Sequence, residues 1–141
     1  MSKQFLNDIF QNDCISTVKS IQTQDSSLDD IAYNFLIGGD GEIFEGRGFN
    51  YQGQHTQNLD ATEYNSIGIC IAFIGNYQST APSPSQINLL KEFIGKSIDQ
   101  EIIVDNHVIV LQDDLKYFAT KANALNDEIK SFSNFRPCNM I

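Results

Sequence analysis

Two histidines, His55 and His107, and three cysteines, Cys14, Cys70 and Cys138, are the side chains in this 141-residue chain best suited to metal or nucleophilic chemistry. A catalytic zinc ion takes three protein ligands and an open position for water, and structural zinc sites show Cys or His pairs a few residues apart. Neither spacing occurs. The cysteines lie dozens of residues from one another, and each histidine stands alone. A lone histidine is more often a surface or hydrogen-bonded residue than a ligand. An odd cysteine count leaves at least one thiol outside any intrachain disulfide. Cys70, inside the apolar run IGICIAFIG, reads as a small buried hydrophobe. The other chemically suggestive stretch is Ile31 to His55, which holds six of the nine glycines. A phosphate loop needs a glycine-rich turn between a strand and a helix, usually with a lysine. Here the glycines lie between two strand-like runs, and no Gly-Lys-Ser/Thr follows. A tight turn and a crowded backbone explain them better.

The elements around these residues follow from local pattern. YNFLIGG and EIFEGRG flank Asp40-Gly41, which predicts a hairpin because glycine accepts the positive φ of a tight turn. SIGICIAFIGNY is apolar almost throughout and predicts a strand buried on both faces, central in a sheet. Ile15, Val18 and Ile21 predict a short amphipathic helix in CISTVKSIQTQ. In SPSQINLLKEFIGKSI, Ser83 caps, Pro84 takes the first helical position and Gln86 completes a capping box. Ile87, Leu90, Ile94 and Ile98 then share a helical face. HVIVLQ predicts another strand, and TKANALNDEIKSF a last helix with Ala122, Leu125, Ile129 and Phe132 on one face. Alternating strands and helices make the class α/β: one mixed sheet with packed helices, in a single domain.

Composition narrows the partners. The net charge of −9 opposes nucleic acid as a main partner, because phosphate binding needs clustered Lys and Arg. It equally opposes electrostatic docking on anionic lipid. The sequence contains no run long and apolar enough to span a bilayer, and MSKQFLNDIFQND has no apolar signal core. As written, the chain is expected in the cytoplasm; as a fragment of a longer protein it would belong outside the cell or on a membrane anchor.

The block DIAYNFLIGGDGEIFEGRGFNYQGQH, followed by NSIGICIAFIGNY, closely resembles the core of the peptidoglycan recognition proteins. CISTVKSIQ resembles the helix preceding that core and SPSQINLLKEFI the one following it, so the resemblance runs from about Cys14 to Phe135. It implies the fold of zinc-dependent N-acetylmuramoyl-L-alanine amidases and a groove for muropeptide. Amidase members hold zinc through two His and one Cys, with an assisting Tyr that matches Tyr33. The first of those His lies in a strand upstream of Cys14, where residues 1–13 contain no His. Gln112 takes the place of the second His and Thr120 that of the Cys. No cofactor is therefore expected.

The resemblance marks Tyr33, Phe49, Gln54, His55 and Ile67 as candidate groove residues. Phe49 stands where the family often has Trp, and Gln54 where a small residue precedes the His. Ile67 occupies a position where members preferring diaminopimelate-type peptidoglycan often carry Arg; an apolar side chain cannot form that charge-assisted bond. Arg47, of the Gly-Arg-Gly motif, either lines the groove or braces the hairpin. The family's first strand is replaced by residues 1–13, and the partner of Cys14 in the family's first disulfide is absent. Without that strand a neighbouring edge would be left open unless residues Lys3 to Phe10 or another chain covers it. The expected function is a non-catalytic recognition module in innate immune signalling, binding muropeptide weakly or pairing with another peptidoglycan recognition protein. The alternatives are a zinc amidase with an unrecognised site, or a degenerate form without ligand.

Overall fold

The computed structural model describes residues 31–55, 64–111 and 123–137. The chain divides into two compact units, Met1–Asn76 and Tyr77–Ile141. The helix expected in CISTVKSIQTQ, the substitute strand expected in residues 3–10 and the positions Cys14, Gln112, Thr120 and Cys138 lie outside the described residues.

In the first unit the hairpin forms where the sequence predicts it. Strand β1 (Phe35–Ile37) pairs antiparallel with β2 (Ile43–Glu45) in the register Phe35↔Glu45, Leu36↔Phe44 and Ile37↔Ile43. The turn is closed by Gly41 N–H donating to Gly38 O at 3.1 Å and Glu42 N–H donating to the Asp40 carboxylate at 3.2 Å. Gly41 has φ +82°, the left-handed conformation that the Asp-Gly pair requires. After a short helix α1 (Tyr64–Ile67), strand β3 (Ile71–Phe73) joins β1 in parallel, giving a mixed sheet of order β2-β1-β3. The fold class is thus α/β with a mixed sheet.

Among the described strands the central one is β1, not β3. All three β1 residues are buried, whereas Ile71 and Ala72 of β3 are only half-buried. The apolar run around Cys70 predicts a strand buried on both faces, and Ile71 and Ala72 fall short of that. Leu36 and Ile37 are fully buried, each contributing about 2 kcal/mol by removal from water. Ile31, Leu36 and Ile74 form the core cluster, with Tyr33, Phe44 and Ala72 packed against it.

In the second unit, helix α2 (Pro84–Asp99) starts as predicted. Ser83 accepts from Gln86 N–H, the Gln86 side chain accepts from Ser83 N–H, and Pro84 opens the first turn. Ile87 and Leu90 are buried and Ile94 and Ile98 half-buried, so the predicted face is the packed one. The helix ends with Glu101 at φ +60°, where Glu101 N–H donates to Ile98 O and Ile102 N–H to Ser97 O. HVIVLQ does not form a regular strand within its described part. It makes one parallel bridge, Ile109 with Phe135, through Ile109 N–H to Asn134 O and Arg136 N–H to Ile109 O. The last helix is shorter than predicted, α3 (Ala124–Lys130), because the Asn123 side chain caps it by accepting from Asn126 N–H.

Candidate functional site

Tyr33, Phe49, Gln54 and His55 belong to the loops that enter and leave the hairpin, and one buried residue between them organises these loops. Asn34 is 3% exposed. Its side-chain N–H groups donate to Gly48 O at 2.9 Å and Tyr51 O at 3.2 Å, and its side-chain oxygen accepts from Cys70 N–H at 2.9 Å. Its backbone oxygen accepts from both Gly46 and Gly48 N–H. The loop leaving the hairpin and the approach to β3 are thereby fixed by one side chain whose polar atoms are all used, as burial demands.

Tyr33 packs on the core cluster, and burial, with the Cys70 thiol adding to it, pushes its phenol up to about 12. Its carbonyl accepts from Arg47 N–H at 3.0 Å. Cys70 is half-buried as a residue, and burial pushes its thiol up to about 12 as well, so it is a protonated, unreactive thiol at neutral pH. Gln54 is exposed, while its N–H donates to Ala32 O at 2.9 Å. The half-buried His55 ring lies close over Gly53: a Cβ at Gly53 would fall 3.1 Å from His55 Nε2 and 2.9 Å from Asn34 Oδ1. Only glycine leaves room there, which is the backbone crowding the sequence suggested. Burial lowers the His55 pKa from its ordinary value and favours the neutral imidazole.

Phe49 is 38% exposed and its ring rests against Phe35, centroids 4.7 Å apart and tilted by 54°. Ile67 closes α1 and is 74% exposed, three residues before Cys70. The structure thus holds Tyr33, Gln54 and His55 on two neighbouring segments and links Phe49 to them through β1. Ile67 lies on the segment that leads into the Asn34–Cys70 pairing. Arg47 braces: its Nε donates to Ile31 O at 2.8 Å and a terminal nitrogen to Gln52 O at 3.3 Å. Asn34 was not singled out by sequence reasoning. A polar residue inside the otherwise apolar run IAYNFLI was its signal.

No three His, Cys, Asp or Glu side chains among the described residues converge in a way that could hold a metal ion. His107, in the second unit, directs Nδ1 at its local Val104 O at 2.9 Å. The described residues do not fit a zinc ion. No helix among them is long and apolar enough to cross a membrane.

Residues 8–123 match the family model of N-acetylmuramoyl-L-alanine amidase. The chain is 39% identical to a peptidoglycan-recognition protein of Drosophila melanogaster over 108 residues, 77% of this chain. It spans 57% of that relative's length. Among solved structures it is similar to human PGRP-IβC in complex with glycosamyl muramyl pentapeptide, at 27% identity and TM-score 0.78 over 92% of this chain and 78% of that one. It is also similar to a chain of the tracheal cytotoxin complex with the PGRP-LCa and PGRP-LCx ectodomains, at 26% identity and TM-score 0.77 over 92% of this chain and 77% of that one. The hairpin, the glycine-crowded loop and these similarities lead to one conclusion: the chain belongs to the N-acetylmuramoyl-L-alanine amidase family, among its peptidoglycan recognition proteins.

Proposed function

We propose that this chain is a non-catalytic recognition module of innate immunity, binding muropeptide weakly or pairing with another peptidoglycan recognition protein. The observation that carries this reading is a set of residues without their chemical centre. Tyr33 stands where the family's assisting Tyr stands, yet the sequence has Gln112 and Thr120 at two of the family's ligand positions. An amide oxygen or a hydroxyl is a poor substitute for the imidazole and thiolate that bind zinc. The Tyr33 phenol, pushed up to about 12, stays neutral at physiological pH and packs on the core cluster.

Tyr33, Phe49, Gln54, His55 and Ile67 form the groove in this reading. Its ligand class is supported by the relative that binds a muramyl pentapeptide, and pairing with another family member by the relative found in a two-protein ectodomain complex. With a charge of −9, self-association is disfavoured and a less acidic family member is the better partner. Residues 14–141 are read as one domain; the family match, residues 8–123, covers most of it and crosses the boundary between the two units.

The test has two arms. Zinc-loaded protein incubated with peptidoglycan is expected to release no stem peptide above a metal-free control. Calorimetric titration with a muramyl pentapeptide, alone and with a second family member present, is expected to show binding in at least one of the two. Release of stem peptide restores the amidase reading. Absence of binding in both titrations leaves a degenerate form without ligand.

A further inference from the structure

The loop from Gly48 to Gln54 combines a fixed backbone with an outward aromatic side chain. Gly48 O and Tyr51 O are held by the Asn34 side chain, Gln52 O accepts from Arg47, and Gln54 N–H donates to Ala32 O. The Tyr51 residue held in this way is nevertheless 72% exposed. Phe49, two residues earlier, is partly exposed with its ring backed by Phe35. A tyrosine on an anchored backbone loses only two side-chain torsions on binding, so it offers contact area at small entropic cost.

The ligand can be read from what such a surface provides. A flat aromatic face matches the C–H face of a pyranose ring. It adds no charge, so it does not oppose a neutral sugar on a chain whose net charge is −9. A stem peptide is held instead by hydrogen bonds to its amides and carboxylates. We propose that Tyr51 is a contact residue for the amino-sugar portion of a bound glycopeptide, its ring stacking on the pyranose, with Asn34 positioning it. This rests on the muropeptide-binding reading above and adds to it the part of the ligand that Tyr51 recognises.

The experiment compares two probes, a disaccharide pentapeptide of N-acetylglucosamine and N-acetylmuramic acid and the same pentapeptide without sugar. Each is titrated into wild type, Tyr51→Phe and Tyr51→Ala. Wild type and Tyr51→Phe are expected to bind the sugar-bearing probe more tightly than the bare peptide. Tyr51→Ala is expected to lose roughly fivefold in affinity for the sugar-bearing probe only. Because the chain has no tryptophan, Tyr51→Trp supplies a single indole whose emission should change with the sugar-bearing probe and not with the peptide. An unchanged Tyr51→Ala affinity, or an equal loss for both probes, overturns the assignment while leaving muropeptide binding intact. Failure of wild type to bind either probe, both alone and with a second family member present, overturns both readings. Unchanged thermal unfolding of Tyr51→Ala, expected for an exposed ring, separates lost contact from lost fold.

Discussion

Asn34 and Cys70 clasp each other through their backbones and one side chain. Cys70 N–H donates to the Asn34 side-chain oxygen at 2.9 Å, and Asn34 N–H donates to Cys70 O at 3.1 Å. Cys70 O also accepts from Phe35 N–H at 3.1 Å, which starts the parallel pairing of β1 with β3. The same Asn34 amide holds the loop that carries Phe49 and Tyr51. Sheet register and candidate groove therefore share one buried side chain.

Asn34→Ala is expected to cost roughly 2–4 kcal/mol, because three backbone groups lose their partner in a site with little access to water. Asn34→Asp keeps the acceptor for Cys70 but faces the carbonyls of Gly48 and Tyr51 with a group that cannot donate when ionised. Its destabilisation at neutral pH should match or exceed that of the alanine variant and shrink in acid. Urea unfolding at pH 7 and pH 4 measures both; stabilities within about 0.5 kcal/mol of wild type would remove Asn34 from its organising role.

Gly41→Val is expected to destabilise by roughly 1–3 kcal/mol. A Cβ there meets nothing within 4 Å, so the whole penalty comes from holding a β-branched residue at φ +82°. Gly41→Asn should recover much of it, since asparagine tolerates this conformation. Equal unfolding midpoints for wild type and Gly41→Val would contradict the turn geometry.

The half-buried Tyr33 and Cys70 give an alkaline limit. Their ordinary values are 10.0 and 9.0, and in the folded chain each lies near 12. A raised folded pKa means that the unfolded chain loses its proton first. The stability they contribute is complete below about pH 9 and declines as the pH rises from there towards 12. The urea midpoint should fall over that window, and Cys70→Ala should move the onset up towards about pH 10, where Tyr33 alone remains. In a Cys14→Ser, Cys138→Ser background, iodoacetamide at about pH 8.5 should label Cys70 slowly until urea is added. Rapid labelling of the folded chain would mean that the thiol is not enclosed.

The Ser83–Gln86 capping box and the Asp40-Gly41 turn were legible in the sequence because each is settled over two or three residues by local hydrogen bonds and one torsion angle. The family block was legible for a related reason: its turn residues and glycines keep their spacing along the chain. The placement of β1 between β2 and β3 was not, nor was the choice between lining and bracing for Arg47. Those depend on contacts from Asn34 to Gly48 and Cys70, 14 and 36 residues away, and from Arg47 to Ile31, 16 residues away. Side-chain type alone cannot say which carbonyl a buried amide or a guanidinium will find. Sequence by itself determined the hairpin, the helix start and the family; only the tertiary structure decided which loops Asn34 ties together, because that selection is made by burial, where every polar group must meet a partner.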